Sequence, residues 1–243
     1  MVQMFAHNVP QLCLITNYMI DHIYNFRHLV QTLDQPWLSP ENLRQYADAV
    51  KEKGAALPNC WGFVDGTVRP ICRPNVNQRV AYNGHKRVHA LKLQSVVAPN
   101  GLIANLFGPI EGRRHDSYML RESGLLAGLE RHSYDPEGNV LSIYGDPAYP
   151  LRRHLQSPFK GNVTEDQAAY NHTMSKVRVS VEWVFGDIIN MFKFVDFEKN
   201  QKIGLSAYGK WYIVSGLTAD ESIIAKCAFN SSMWPWLEDS IKC

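Results

Sequence analysis

The chain has 243 residues, a hydrophobic share of 45% and a formal net charge of +2, which predicts a globular protein with a sizeable core. It has no run of eighteen apolar residues and no charged N-terminal segment followed by an apolar one, so neither a transmembrane helix nor a signal peptide is expected. The five scattered cysteines lack the spacing of a zinc site or disulfide scaffold, which predicts reduced thiols in an intracellular protein.

Residues 1–57 have helical spacing and helical start signals. Apolar residues recur at threes and fours from Leu12 to Tyr24, and Ser39-Pro40 is typical of a helix cap followed by proline at the first helical position. Pro58 ends this pattern. We therefore expect a helical lead-in over 1–57 and a main domain over 58–243. Two packing helices are expected near its end, over 208–224 and 224–236.

The first strand of the main domain is predicted over 61–65, and it ends in Asp65. A second short strand is predicted over 68–72, followed by a long pair over 87–98 and 102–107. Asn100-Gly101 between the long strands is a strong hairpin signal. An acid at a strand end suits a metal ligand or a general base, but Asp-Gly is also a common turn pair, so both interpretations of Asp65 stay open.

Charge is distributed unevenly along these strands. No Asp or Glu occurs between Gly66 and Ile110, and this segment is basic, with Arg69, Arg73, Arg79, Lys86, Arg87 and Lys92. It predicts a positive face suited to nucleic acid, or else an ordinary solvated surface. His85 and His89 lie too far apart on a strand for a compact metal pair, so we expect them to be structural or to face DNA.

A Gly-rich, basic loop follows, in which Arg113 and Arg114 precede Asp116. Asp116 stands just before a short apolar run that predicts a helix, so it is either the helix N-cap or an auxiliary metal ligand. The next β-branched and aromatic run, 140–144, leads into Asp146. Carboxylates at equivalent ends of two strands would lie within metal-bridging distance, so Asp65 and Asp146 are expected to converge.

A long helix is predicted to begin at a capping box formed by Thr164 and Gln167. Arg178 and Glu182 share one line on it, beside an apolar stripe. Glu182 lies in a strongly apolar run, where an unpaired carboxylate would be costly. It is therefore either the third acid of a metal site or the ion-pair partner of Arg178. Three acids on rigid elements are suited to two hard cations and to phosphodiester cleavage.

The motifs resemble those of Harbinger-type transposases and the nucleases derived from them, within the DDE endonuclease superfamily. The resemblance runs from about Trp61 to about Phe194. It is carried by five motifs in order: Phe63 to Thr67, Gly112 to Leu120, Tyr144 to Leu151, Ser157 to Phe159, and Tyr170 to Gly186.

The resemblance implies an α/β, RNase H-like fold, a mixed sheet flanked by helices, in which Asp65, Asp146 and Glu182 are catalytic. It implies that these acids, with Asp116, bind Mg²⁺ or Mn²⁺. DNA would be held by four basic residues, Arg113, Arg114, Lys176 and Arg178. It further implies nuclear action. Only about sixty residues precede Asp65, and the family's helix-turn-helix region is largely missing, so either the chain is a truncated or decayed copy or DNA targeting is supplied by another protein. Because relatives of the family work with a Myb/SANT-like DNA-binding partner protein, the resemblance makes such a partner an expectation.

The alternative is a catalytically retired protein that binds DNA or acts as a scaffold. It is favoured by the shortened N-terminal region and by two departures from the family along the helix. Trp183 follows Glu182, and 187–190 reads Asp-Ile-Ile-Asn, where relatives usually carry basic residues. The intact set of three acids favours the endonuclease.

Overall fold

The computed structural model describes residues 7–196 and 207–229, although not the side chains of 180, 181 and 220–229. The helices are α1 (Val9–Tyr24), α2 (His28–Gln31), α3 (Pro40–Glu52), α4 (Gln78–Ala81), α5 (Asp116–Glu122), α6 (Leu125–His132), α7 (Glu165–Met191) and α8 (Tyr208–Phe229). The strands are β1 (Cys60–Pro70), β2 (Tyr82–Asn83), β3 (Val88–Val97), β4 (Ile103–Glu111), β5 (Ser142–Tyr144) and β6 (Leu155–Gln156). None of the described helices is both long and apolar enough to cross a membrane.

The strands form one mixed sheet in the order β4-β3-β1-β5-β6, with β2 paired to the start of β3. β1, β3 and β4 are antiparallel neighbours, whereas β5 and β6 add to β1 in parallel. Helices flank the sheet. This is the α/β fold that the sequence predicted, and it is consistent with an RNase H-like nuclease.

Two hydrophobic clusters hold the helices to the sheet. One contains Phe63 and Tyr144 together with apolar residues of α7 and α8, such as Ile188 and Tyr212. The other joins Val64 and strand neighbours to α3, α5 and α6. Phe63 and Val64 are consecutive, so they serve opposite faces of β1. The acids that share a face with Phe63 therefore lie towards α7.

The first strand differs from its prediction. β1 is one strand of eleven residues that continues through Asp65 and Gly66 to Pro70, so the break predicted after 65 was wrong. Asp65 pairs with Ser95 of β3, and that pairing extends to Pro70 opposite Ala90. The long antiparallel partner overrides the local turn preference of Asp-Gly, because its hydrogen bonds hold the segment extended.

The sequence signals for the starts of two helices were confirmed. Ser39 accepts the backbone N–H of Asn42 and caps α3, while Thr164 and Gln167 form the predicted capping box of α7. α8 runs unbroken from Tyr208 to Phe229, so the predicted change of helix at 224 was wrong; 230–236 lies outside the described residues. α3 packs on β1 within a shared cluster, and the division at residue 57 stays a prediction.

Candidate active site

Asp65 lies within β1, and Asp146 lies at the equivalent position just past the end of the parallel neighbour β5. Phe63 of β1 is in register with Tyr144 of β5. Asp65 lies two residues after Phe63, and Asp146 lies two residues after Tyr144. Neighbouring strands are about 4.8 Å apart, and residues two apart share a face. The structure therefore brings the two acids side by side where β5 ends, although Asp65 itself lies within β1.

Gly145 permits this approach. A Cβ atom at Gly145 would lie 2.9 Å from Val64 Cγ1 and 2.8 Å from the Tyr149 ring, closer than real Cβ contacts allow. Tyr149 is almost fully buried, and its hydroxyl donates to Gln94 Oε1 over 3.3 Å. The segment that carries Asp146 is thus held tightly against β1.

Both aspartates have raised pKa values. Burial raises the pKa of Asp65 to about 6, against the effects of Arg178 and the Gly66 N–H, and the charges of Asp146 and Glu182 raise it further. Burial also raises the pKa of Asp146, with a contribution from Asp116. Each Oδ1 accepts a backbone N–H over 2.9 Å, Asp65 from Gly66 and Asp146 from Ala148. Burial is the largest cause of both shifts, and perturbed pKa values of this kind cluster at functional sites.

Arg178 connects Asp65 to Glu182. Its Nη1 lies 3.3 Å from Asp65 Oδ2, and its Nη2 donates to Glu182 Oε1 over 3.3 Å. The Asp65 contact is an ion pair without hydrogen-bond geometry, since Nη1 is buried and makes no hydrogen bond. The predicted ion pair of Arg178 with Glu182 is therefore present. The Glu182 side chain is 53% exposed, so the expectation that this carboxylate is buried at a cost in free energy was wrong.

Asp116 lies beside the same strand but has a different partner. α5 begins at Asp116 itself, His115 holds the N-cap position, and no side-chain cap bond is made, so the N-cap interpretation was wrong. Asp116 forms a close ion pair with Lys92 Nζ, which also donates to the Arg114 carbonyl over 3.1 Å. The Lys92 side chain is only 7% exposed. Asp116 therefore neutralises a buried cation.

This pairing predicts that Asp116→Asn destabilises the fold. The variant keeps the volume of the side chain but leaves the Lys92 ammonium buried without a carboxylate, which costs about 3 kcal/mol. Chemical denaturation should show that loss in the free energy of unfolding.

The matched control is Asp48→Asn, which breaks the Arg44–Asp48 pair on α3, whose side chains are 38% and 49% exposed. Such exposed pairs contribute about 0.5 kcal/mol. Equal effects of the two substitutions would show that Asp116 has no special structural role.

The predicted DNA-binding residues occupy different settings. Arg113 and Lys176 are exposed. Arg114 pairs with Glu111 over 3.2 Å and lies 4.4 Å from the centre of the Tyr118 ring. Arg178, with 20% of its side chain exposed, is held by acids. Their roles towards DNA stay predictions.

The donor chemistry of the acids fits a divalent cation. Carboxylate oxygens are the ligands that Mg²⁺ and Mn²⁺ prefer, and burial raises the pKa values of the two aspartates that would supply them. In the described part of the chain, however, no three acidic, histidine or cysteine side chains are gathered to hold one ion. Arg178 forms ion pairs with both Asp65 and Glu182.

Sequence reasoning missed two contacts. Arg178 was paired only with Glu182, because helical spacing reveals neighbours four residues apart and not a strand residue distant in sequence. Lys92 could have been noticed, since a single lysine between apolar residues of a predicted buried strand indicates a buried partner.

The fold and site together define an α/β protein with two strand aspartates and a helix glutamate around one arginine. The family described as DDE superfamily endonuclease matches residues 64–230, more than half of the chain. The chain belongs to this family, which supports a transposase-like nuclease with DNA as its substrate and a divalent metal as its general cofactor. No curated protein and no solved structure gives a significant match.

Proposed function

We propose that this chain is a Harbinger-type, metal-dependent DNA endonuclease whose catalytic acids are Asp65, Asp146 and Glu182. The observation that carries the proposal is the register of Phe63 with Tyr144, which supports adjacent positions for the two aspartates. Their raised pKa values and the nearby helix acid add support. Nuclear action, a Myb/SANT-like partner and a main domain over 58–243 belong to the same proposal.

Mg²⁺ or Mn²⁺ would be held by Asp65, Asp146 and Glu182, with Asp116 as a neighbouring charge. When bound, the metal would activate the attacking water and stabilise the leaving oxygen of the scissile phosphodiester. The chain's own residues orient the carboxylates: backbone N–H groups fix each Oδ1, and Gly145 allows the strands to meet closely. Such preorganised charge lowers the barrier without reorganisation during the reaction.

A second candidate is the retired scaffold. It is supported by Arg178, which forms ion pairs with two of the three acids, Asp65 and Glu182, without any metal. The two candidates differ when a divalent cation is supplied: the acids of the endonuclease support DNA cleavage, whereas those of the scaffold do not.

Glu182→Gln separates the two candidates. It removes one carboxylate charge from the site, so Mn²⁺-dependent nicking of a supercoiled plasmid should fall about 100-fold or more. Because Glu182 is largely exposed, the free energy of unfolding should change by no more than about 0.5 kcal/mol.

The control is Glu165→Gln, the same chemical change on an exposed residue of α7. It should nick like the wild type. A wild type that binds Mn²⁺ but never nicks DNA, alone or with a DNA-binding partner, would favour the scaffold.

A further inference from the structure

An open cleft of about 540 Å³ lies at the far end of β3 from the acids. It is lined by Gln78, Arg79, Tyr82, Gly84, His89 and Arg113. It is framed by α4, by the β2–β3 hairpin and by the loop after β4. None of its lining residues belongs to the acid cluster.

The cleft is a built feature of the fold. The loop that carries Arg113 is fixed by two hydrogen bonds: Arg113 N–H donates to the Val80 carbonyl over 3.1 Å, and Asn83 Nδ2 donates to the Gly112 carbonyl over 2.9 Å. Gly112 fits only because it has no side chain, since a Cβ there would lie 2.5 Å from the Ala81 carbonyl oxygen. The backbone of Arg113 is thereby fixed to α4 at the edge of the cleft.

The lining carries uncompensated positive charge. Arg79 and Arg113 are both exposed, and neither forms an ion pair with an acid in the part of the chain that the structure describes. No acid occurs in the sequence between Gly66 and Ile110, and Glu111, which follows, is paired with Arg114. The adjacent turn adds three exposed side chains, His85, Lys86 and Arg87.

One wall of the cleft is aromatic. Tyr82 is 40% exposed, and its ring meets His89 edge to face with centroids 5.4 Å apart. Two exposed arginines beside a partly exposed tyrosine suit a polyanion, because guanidinium groups and a tyrosine hydroxyl can donate to the phosphate oxygens of a nucleic-acid backbone.

Its position suits DNA that flanks a cut. His89 is six residues before Ser95, the β3 partner of Asp65, which corresponds to about 20 Å along the strand. At 3.4 Å per base pair this distance is about six base pairs of B-form DNA.

We propose that the cleft is a second DNA-contact site, which grips the backbone of the duplex flanking the bond to be cut. The inference rests on the proposed function for its substrate. It adds Arg79, Tyr82 and His89 to the DNA interface and gives Arg113 a defined place.

The test measures DNA binding without metal, so it does not depend on cleavage. Fluorescence anisotropy with a 30-base-pair duplex compares the wild type with the double variant R79A/R113A. Binding at low salt should weaken about tenfold, and the slope of log affinity against log salt should become shallower by about 2, because two phosphate contacts are lost. R79K/R113K keeps both charges and should retain the wild-type slope.

The matched control is K51A/R131A, which removes two exposed cations from α3 and α6. It should bind DNA within twofold of the wild type, and thermal melting checks that all variants are folded. R79A/R113A with wild-type affinity and slope, or a wild type without measurable DNA binding, would overturn the inference. Loss of binding in R79A/R113A from a protein that never nicks DNA would support the cleft while refuting the endonuclease.

Discussion

Asp65→Asn should make the protein more stable at neutral pH while removing its metal binding. The folded-state pKa of Asp65 is about 6, above its ordinary value of 3.8. Between these values the folded state binds the proton more tightly than the unfolded state does, so the free energy of unfolding falls as pH rises through this window. Above pH 6 the folded state carries the full free-energy cost of burying the ionised Asp65 carboxylate.

Asparagine keeps the shape of the side chain and an oxygen for the Gly66 N–H, but carries no charge. At pH 7.5 the free energy of unfolding of the variant should exceed that of the wild type by up to about 3 kcal/mol. This value follows from a pKa difference of about two units at about 1.36 kcal/mol per unit. At pH 4 the gain should largely vanish, because Asp65 is then protonated in the folded wild type. Denaturant titrations at both pH values measure the difference.

Asp48→Asn serves as the control, since the Asp48 side chain is 49% exposed on α3 and pairs with Arg44 rather than with any residue of the acid cluster. It should show no comparable gain at pH 7.5. A loss of stability in Asp65→Asn at pH 7.5 would mean that the ion pair with Arg178 outweighs the cost of burial, contrary to the raised pKa. Stabilisation by removal of a functional group is the usual sign of a site selected for chemistry.

Arg178→Met should tighten divalent-metal binding. Arg178 contacts Asp65 Oδ2 and Glu182 Oε1, so a metal that uses these oxygens must displace the guanidinium. Removing that competing cation should lower the Kd for Mn²⁺ about tenfold, a coupling of about 1.4 kcal/mol. Calorimetric titration of the metal into the variant and the wild type gives both constants.

Two variants make the Arg178 result specific. Arg178→Lys keeps a cation near the acids and should bind Mn²⁺ close to the wild-type constant. Lys176→Met removes an exposed charge two residues away on α7 and should have little effect. Weaker Mn²⁺ binding in Arg178→Met would show instead that the arginine orients the acids for the metal.

Much of the fold followed from local signals. The capping box of Thr164 and Gln167 marked the start of α7, and Asn100-Gly101 marked the hairpin of β3 and β4. The fold class followed from the resemblance. β1 was divided in error because Asp-Gly resembles a turn, whereas its continuation depends on pairing with β3 about thirty residues later in the sequence.

Some of the geometry around the acids could likewise be predicted from the sequence. Asp65 and Asp146 were expected to converge from the repeated pattern of an apolar run followed by an acid, and the parallel register of β1 with β5 brings them together. The contact of Arg178 with Asp65 was not predictable, because the angle at which α7 crosses the sheet sets it. Lys92 and Asp116 are likewise joined only by the packing of α5 on β3.

The proposed endonuclease requires that Asp65 and Asp146 bind a divalent metal together with Glu182. Calorimetric titration of Mn²⁺ into the wild type and Asp65→Asn at pH 7.5 tests it most directly. We expect saturable Mn²⁺ binding by the wild type and at least about 100-fold weaker Mn²⁺ binding by Asp65→Asn. Equal binding by the two proteins, or none by a folded wild type, would contradict it.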